Sequence, residues 1–459
     1  MQKALGFQNL TARIVLPWNQ HTGISSMGAD SLSFADKGYG GNVYVFSVVN
    51  QISSKCKSIK WSLYQVKQSR EKQFKGYVQK SANGINKLAR EVRQLKQESL
   101  EQVYDHRLNE MLEKPNMLQT WPEFIENVIA FKLVTGNSFV IGFRPLTGEN
   151  MTRFTEIYPY RPMEVTIVAQ KYPAPVIRYH LADLEKKNWA PDEVLHMKTT
   201  HLLNQRIGMS PIEPALSSVK QSNAYAEWNE QLTKNMGGIP GVLVIDDDTL
   251  DDKKVDAILR KFDERQAGAK NAGKPLVVGG KTIDYKQVAV SPKDMEWTKG
   301  VQLTANQIAL AYEWPPELVG DTATKTYDNM RAMLKLAYNG KVIPEMNALR
   351  DALNEYLVQP WNDGTAKYFL DYNLEDIEIL QEERTAVWTR TLQGWNGGLL
   401  TLNESRMEIG FDAIGSEGDI RQTPLGLMNF DSPQDENDKF DKAMKYLEGK
   451  GLREYREAA

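Results

Sequence analysis

Two helix starts with proline in the first turn divide the second half of the chain and restrict its fold more than any other feature. The residues at 210–213, Ser-Pro-Ile-Glu, form a capping box with proline at the first helical position. The helical pattern runs to about 236, where Gly237-Gly238 ends it. A second start at 291–294, Ser-Pro-Lys-Asp, opens another helix that the Trp-Pro-Pro at 314–316 must end. Between the two helices we predict a compact β-α-β-β insert over 237–290.

The second half of the first long helix is unusual in its polarity. After Val219 the sequence reads KQSNAYAEWNEQLTKNM, which places polar side chains on most faces of the helix. A helix buried in the core of one monomer does not tolerate this pattern. The pattern suits a helix whose neighbours are other subunits and a water-filled channel.

The segments before the first long helix mix helices and strands. Apolar residues at spacings of three and four predict an amphipathic helix at 43–58. Thr120 caps a second helix with Pro122 in its first turn, and Gly136-Asn137 ends it. Short β-rich runs with proline turns fill 151–200, which predicts a small β-containing domain. Residues 1–42, rich in Gly, Ser and Asn, read as an irregular N-terminal arm.

After the second long helix the pattern is mainly helical. The predicted fold class is therefore α+β, mostly helical. A loop over 314–328 leads into a helical pattern at 327–357, in which Pro344 should produce a kink. Helices are expected in 376–430, and a mobile charged tail over 431–459.

The charge is balanced over the whole chain and unbalanced locally. Lys plus Arg number 56 against 59 Asp plus Glu, a net charge of -3, so no global basic excess indicates nucleic-acid binding. Between Lys55 and Lys96, however, there are twelve Lys or Arg and two Glu. Either a solvated basic surface or a patch facing a polyanion would explain this stretch.

Motifs that would indicate catalysis fail on inspection. The Gly268–Lys274 segment matches a phosphate-binding loop, but Pro275 stands where a hydroxyl must hold magnesium, and the segment follows a helix instead of a strand. The residues at 280–282, Gly-Lys-Thr, lack the first glycine of that motif. The five acids Asp246, Asp247, Asp248, Asp251 and Asp252 lack the glycine and glutamate of an EF-hand.

The remaining residue types predict neither a metal site nor a membrane anchor. No histidine pair has metal-ligand spacing, and His196 at a strand end is expected to be structural. The single cysteine, Cys56, lies on a predicted packed helix and has no cysteine partner, which fits a reducing compartment. The longest apolar runs fall far short of the roughly 18 residues of a membrane span. We therefore expect no catalytic residues, no metal, no cofactor and no membrane contact.

Several segments, in this order and spacing, resemble the portal proteins of tailed double-stranded DNA bacteriophages. The resemblance covers about 110 to 410, and no one segment is diagnostic alone. The segments are Lys114-Pro-Asn with Trp121-Pro-Glu-Phe, Thr135-Gly-Asn-Ser-Phe, Asp192-Glu-Val-Leu-His196, Gly208-Met-Ser-Pro-Ile-Glu-Pro-Ala215, Trp314-Pro-Pro-Glu-Leu-Val-Gly320, Tyr327-Asp-Asn329 and Leu400-Thr-Leu-Asn-Glu-Ser-Arg406.

The resemblance implies a dodecameric ring at one capsid vertex, through which double-stranded DNA is packaged and ejected. It implies partners as well: further copies of the chain, the terminase large subunit, head-completion or adaptor proteins, and the major capsid and scaffolding proteins. The place of action would be the virion, after assembly in a bacterial cytoplasm. The implied regions are a wing (43–209 with the return strand 358–375), stem helices (210–236 and 291–313), a clip (237–290), a tunnel loop (314–328), a kinked tunnel helix (327–357) and a crown (376–430).

On that mapping, three sets of residues become candidate functional sites. We expect the tunnel loop to form the narrowest ring of the channel through Val319, Thr322, Thr324 and Lys325. Stem lysines Lys220, Lys234, Lys293 and Lys299 are candidates for sparse contacts with phosphate. The acids Asp246, Asp247, Asp248, Asp251 and Asp252 of the clip are candidates for a docking surface.

Two other classes remain open on the sequence. One is a different structural adaptor between a phage head and tail, or a component of a tailocin or gene-transfer particle. The other is a nucleotide-dependent DNA-packaging enzyme that uses the Gly268 loop, which the missing hydroxyl and the inverted topology disfavour.

Overall fold

The computed structural model separates into two compact units, residues 1–380 and 381–459. It describes residues 24–26, 32–82, 90–145, 152–169, 176–234, 241–245, 256, 260, 283–287, 297–319, 326–362, 364, 366–380 and 384–421. The first unit contains every sheet and the long helices. The second unit is helical in its described part.

Eleven α-helices lie in the described ranges, together with three π-helical turns and five 3₁₀ turns, the latter including Pro162–Glu164, Gln359–Trp361, Glu378–Leu380 and Ser416–Gly418. The α-helices are α1 Val43–Lys57, α2 Glu71–Ser81, α3 Arg90–Ser99, α4 Arg107–Glu113, α5 Trp121–Thr135, α6 Ile212–Lys234, α7 Trp297–Ala311, α8 Tyr327–Ala337, α9 Ile343–Leu353, α10 Arg384–Asn396 and α11 Leu402–Glu408. π-Helical turns occupy Phe34–Gly40, Tyr338–Val342 and Asn354–Val358, and a 3₁₀ turn occupies Pro316–Leu318.

The strands form small antiparallel sheets. The strands are β1 Ile24–Ser26, β2 Trp61–Val66, β3 Leu100–Gln102, β4 Asn137–Phe143, β5 Glu156–Tyr160, β6 Val165–Ala169, β7 Val176–Leu181, β8 Asn188–Trp189, β9 Val194–Lys198, β10 Gly241–Ile245, β11 Ile283–Gln287 and β12 Tyr368–Tyr372. Their orders are β1-β6-β7-β8, β5-β4-β9, β12-β2-β3 and the pair β10-β11. The architecture is therefore α+β with a helical majority, as the sequence predicts.

The main core lies where α1, α5 and α9 meet the start of α6 and the end of α7. The apolar stripe of α1 (Val45, Val48, Val49 and Ile52) is fully buried, as its spacing predicts. Cys56 continues this stripe and is also fully buried, and burial strongly raises the pKa of its thiol. A buried thiol with a raised pKa is a packing residue, not a nucleophile.

Helix α5 begins and ends as its sequence predicts. Thr120 and Glu123 form a capping box at its start, and Pro122 lies in the first turn. Gly136 ends the helix in the left-handed conformation at φ 75°, which glycine adopts without steric cost. Strand β4 follows at once, so the chain reverses within a single residue.

The expected break at Pro344 takes the form of a π turn. Proline has no N–H to give to the carbonyl four residues earlier, and its ring crowds that position. One turn before Pro344, over Tyr338–Val342, the helical hydrogen bonds change from four-residue to five-residue spacing. There the Ile343 N–H donates to the Tyr338 carbonyl five residues back. The helical pattern at 327–357 is thus two α-helices, α8 and α9, joined through this turn.

Two stretches of the predicted N-terminal arm, 24–26 and 34–40, form regular structure. Strand β1 pairs with β6, and the π turn at 34–40 follows it in the chain. Phe34 and Tyr39 pack on the main core, and the Tyr39 hydroxyl donates to Asn50 Oδ1 at 2.9 Å. Two aromatic side chains fix this segment on the core. Its glycine-rich composition gave no sign of this packing in the sequence.

Three predicted elements fall partly or wholly outside the described residues. In the insert, strands β10 and β11 are described and pair antiparallel, whereas the predicted helix at 249–266 and the strand near 274–280 are not described. The start of the second stem helix at 291–296 and the tail at 431–459 are also outside the described ranges.

Candidate functional site

The start of α6 is bound to the end of α5 through one buried asparagine. The Asn137 Nδ2 group donates to the carbonyl of Gly208 at 3.1 Å, and its Oδ1 accepts from the Gly208 N–H at 2.7 Å. Nδ2 also donates to the Thr135 carbonyl at 3.0 Å. Two of the family-like segments, at 135–139 and 208–215, therefore meet in space through hydrogen bonds between the Asn137 side chain and the Gly208 backbone.

His196 completes this junction as a structural residue. Its ring stacks on Phe139 at 4.2 Å between centroids, and its Nε2 lies 3.0 Å from Asn137 Oδ1. Because that amide oxygen can only accept, Nε2 carries the hydrogen. Burial, with a smaller contribution from Lys198, lowers the pKa of His196 to about 3, so the ring is neutral.

Close backbone contact at the junction requires two glycines. A Cβ on Gly208 would lie 2.0 Å from the Gly136 carbonyl oxygen, and one on Gly136 would lie 2.4 Å from the Met209 carbonyl carbon. Ser210 adds a further bond, because its hydroxyl donates to the Val134 carbonyl at 2.6 Å while accepting from the Ile212 N–H at 3.1 Å. The first turn of α6 is thus fixed to the α+β region.

Helices α6 and α7 run antiparallel, side by side. Ser218 donates to Gln307 Oε1 at 2.7 Å. Seven residues further along α6, the hydroxyl of Tyr225 lies 2.9 Å from the position that a Cβ on Gly300 would occupy. Residue numbers thus increase by seven along α6 where they decrease by seven along α7. The two helices therefore form an antiparallel hairpin, and Gly300 allows its close packing.

Burial along α6 stops halfway. Ile212, Ala215, Val219 and Ser222 form a buried stripe at helical spacing. From 223 to 230, by contrast, no described side chain is buried. Beside the first half of α6, helix α7 presents Leu303 and Leu310 to solvent, at 57% and 63% exposure. Among the described residues, the far half of α6 therefore has no buried stripe.

The end of α7 is held where it leads into the tunnel-loop region. Trp314 is 1% exposed, and its Nε1 donates to Gln51 Oε1 at 3.2 Å, while Gln51 Nε2 donates to the Leu318 carbonyl at 3.1 Å. Glu313, just before, has φ 57°, which is strained for a residue other than glycine. Gln51 of α1 therefore spans the turn that follows α7.

A buried ion-pair network links the kinked helix to α5. Lys132 Nζ lies 2.6 Å from Glu345, and Lys341 Nζ lies 3.4 Å from Glu345 and 3.5 Å from Glu313. Burial alone would raise the pKa of Glu345, but the two lysines more than offset it, and the pKa lies below its ordinary value. The network joins α5, the π turn and the end of α7.

Acidic partners neutralise much of the basic stretch at 55–96. Lys57 pairs with Glu126, Lys60 with Asp376 and Lys80 with Glu91; further pairs are Arg93 with Glu375 and Lys96 with Asp371. Arg70, Lys72 and Lys75 remain on the solvent face around α2. Most of the local excess is thus a paired and solvated surface.

The structure places only some of the predicted site residues. Lys220 and Lys299 are exposed on α6 and α7, and Lys234 lies at the end of α6, where its side chain is not described. The other predicted site residues lie outside the described ranges: Thr322, Thr324, Lys325, Lys293, Asp246, Asp247, Asp248, Asp251 and Asp252.

Val319 does not fit its predicted place at the channel axis. Its side chain is 8% exposed and packs in the main core, directly after the 3₁₀ turn at 316–318. An apolar side chain next to two prolines gains more by entering this core than by facing water. We therefore correct this prediction and drop Val319 from the lining residues.

Sequence reasoning missed Asn137, Gln51 and the Lys132–Glu345 pair. In the sequence, Lys132 interrupts the apolar run at 128–134. A buried lysine in such a run is itself a signal, since it needs a carboxylate partner elsewhere in the chain.

The described residues hold no cluster of three or more His, Cys, Asp or Glu side chains arranged to bind a metal. Within the same ranges, no helix combines the length and the apolarity needed to cross a bilayer.

Comparison with solved structures identifies the fold. The protein in the neck of a native gene transfer agent particle, computed with C12 symmetry, superimposes with a TM-score of 0.56. It is 22% identical, and the match covers 86% of this chain and 97% of that one. The fold is therefore that of the neck proteins of phage-like particles.

The sequence comparisons then give the family. A family model described as phage portal protein matches residues 76–410, so the chain belongs to the phage portal protein family. The portal protein of Enterobacteria phage HK97 is 23% identical over 296 residues, 64% of this chain and 66% of that protein. An uncharacterized protein of Rickettsia bellii (strain RML369-C) is 28% identical over 339 residues, 71% of this chain and 83% of that protein.

Proposed function

We propose that twelve copies of this chain close into a ring at one vertex of a phage-type capsid and form the conduit for double-stranded DNA. The observation that carries the proposal is the half-buried hairpin. The first half of α6 is anchored in its own chain, whereas none of the described side chains at 223–230 is buried. Subunits packed around an axis would supply what the second half lacks.

The ring number rests on the structural relative. The gene transfer agent neck was computed with C12 symmetry, and this chain shares its fold. A closed ring of identical chains needs a heterologous interface, in which two different patches of each chain meet.

The charge of the chain suits passage better than capture. Each phosphate that Lys or Arg neutralises releases counterions and tightens binding, so a strongly basic channel would arrest DNA. Twelve copies at -3 each give -36 for the ring. Sparse basic positions, Lys220 and Lys299 on the stem helices together with Lys234, Lys293 and Lys325, would contact phosphate only locally.

The remaining parts of the proposal concern the loop and the insert. The tunnel loop, with Thr322, Thr324 and Lys325, would form the narrowest ring of the channel. The insert acids at 246–252 would present a docking surface to the terminase large subunit and later to head-completion proteins. Capsid and scaffolding proteins would surround the ring in the virion, after assembly in the bacterial host cytoplasm.

Negative-stain imaging of the purified protein tests this proposal. We expect ring-shaped particles with a central hole and twelvefold symmetry. Particles of single-chain size at every protein concentration tested would contradict the ring. Charge reversal of the insert acids tests docking separately, because it should leave the rings intact and lower packaging.

A further inference from the structure

The described part of the second unit has no apolar core of its own. Its buried side chains between 385 and 421 are all polar, namely Thr391, Asn403 and Ser405. Monomeric proteins rarely leave large apolar side chains uncovered together, and such patches mark interaction sites. Seven large apolar side chains of this stretch are 45% to 75% exposed: Trp388, Leu392, Leu399, Met407, Phe411, Ile414 and Ile420.

The first of two apolar patches, the α10 patch, is formed by Trp388, Leu392 and Trp395. These residues follow one another at spacings of four and three, which places them on one side of α10. Helix α11 packs against another side of α10, where Arg390 pairs with Glu408 at 3.4 Å. Two residues correspond to about 200° around a helix, so Arg390 lies almost opposite Trp388. The α10 patch therefore faces away from α11.

The second apolar patch, the loop patch, is formed by Met407, Phe411 and Ile414 at and after the end of α11. Asn403 of α11 holds this loop, because its Oδ1 accepts from the Ile414 N–H at 2.9 Å. Met407 lies one turn further along the same side of α11. Asn403 and Glu408 are about 140° apart around the helix, so the loop and α10 contact different sides of α11. The order is thus α10, α11 and loop, with one exposed apolar patch on each outer side.

Two separate patches on one unit favour a second copy of the same unit as the occupant. A closed ring of identical chains needs two different patches on each chain, and the second unit carries two on separate sides. None of the patch residues is charged, so one patch can cover the other without burying a charge. The chain segment at 431–441, by contrast, has five acids and one lysine. Covering an apolar patch with that segment would cost the hydration of those charges.

We propose that the α10 patch of one copy packs against the loop patch of the next copy around the ring. This inference rests on the proposed ring and names one of its contact surfaces. Each second unit would then supply the apolar core that its neighbour lacks. The second unit would therefore gain much of its stability only when the ring assembles.

Photocrosslinking in assembled rings identifies what covers the α10 patch. Trp388→p-benzoylphenylalanine places the probe in the patch, and rings assembled from isotope-labelled and unlabelled chains distinguish crosslinks between chains from those within one chain. We expect covalently joined chains whose linked peptide contains 407–414 of another copy. The matched control is Ala386→p-benzoylphenylalanine, because Ala386 is exposed and lies almost opposite Trp388 on α10. The control should give at least fivefold less of this product.

The outcomes separate this inference from the ring itself. Rings in which the probe at 388 links to 422–459 of its own chain, to any other segment or to nothing would overturn the packing and leave the ring standing. Absence of rings in the unmodified protein would overturn both. Should the Trp388 variant fail to form rings, Phe411→p-benzoylphenylalanine tests the same contact from the other side, and its probe should link to 388–395 of another copy. A probe at 411 that links only within its own chain would likewise overturn the packing.

Discussion

The two halves of α6 differ in what stabilises them. From Ile212 to Ser222 the helix has a buried stripe, a capped start and backbone bonds to the end of α5. From 223 to 230, the last described side chains of the helix, none is buried. The contrast shows that the chain itself holds the first half in place; in the proposed ring, neighbouring chains would complete the second half. Changes in the first half should unfold the monomer, and changes in the second half should act only on assembly.

The largest effect is expected from Glu345→Gln, which breaks the buried network behind the anchored half. Removing one partner of a buried ion pair costs about 3 to 5 kcal/mol, because the other charge is left without compensation. We expect a loss of about 4 kcal/mol in the free energy of unfolding, measured by urea denaturation of unassembled protein. A loss below about 1 kcal/mol would show that the network does not hold α5 to the kinked helix.

The advantage of the unmodified protein over Glu345→Gln should depend on pH. The pKa of Glu345 in the folded state lies below the ordinary value of 4.5, because two lysines favour its charged form. Its contribution to stability is therefore fully present above pH 4.5 and is lost as the pH falls through the folded pKa. Unfolding curves of both proteins from pH 7 to pH 3 should converge at the acidic end. A difference that grows on acidification would contradict this assignment.

Gly208→Ala should also destabilise the anchored half strongly. The added methyl group meets the Gly136 carbonyl oxygen, and both backbones are held by Asn137. We expect a loss of about 3 kcal/mol, typical of severe overpacking. Gly340→Ala is the matched control, since nothing lies within 4 Å of its added Cβ. Equal unfolding midpoints for the two variants would refute the close approach.

Asn137→Ala should cost about 2 kcal/mol, because it leaves the Gly208 N–H and carbonyl buried without their partner. Amide exchange at Gly208, followed by NMR or mass spectrometry, should accelerate in parallel with the drop in unfolding midpoint. Unchanged exchange at Gly208 would mean that the hydrogen bonds do not anchor the stem.

Leu303→Ser should have the smallest effect on the isolated chain. Its side chain is 57% exposed, and substitutions at such sites change stability by about 0.5 kcal/mol or less. The fraction of protein in rings, measured by mass photometry, should nevertheless fall. If Leu303→Ser instead destabilised the isolated chain and left the fraction of protein in rings unchanged, the prediction would be wrong.

Local signals predicted the elements, and long-range pairing escaped them. The caps of α5 and α6 were predictable because each lies within four residues of sequence, and Pro344 marked the break before α9. The Asn137 junction joins residues 71 positions apart, and the Gln51–Trp314 contact spans 263. Periodicity carries no information about such partners. The burial of Val319 was missed for the same reason, since its neighbours in sequence form a loop and its neighbours in space form the core.

Hydrogen exchange across α6, in assembled and dissociated protein, tests the central claim most directly. We predict that amides at 212–222 are protected in both states, whereas amides at 223–234 gain protection only in the ring. Equal protection of 223–234 in both states would show that the second half of α6 is stable without its neighbours, and would contradict the account.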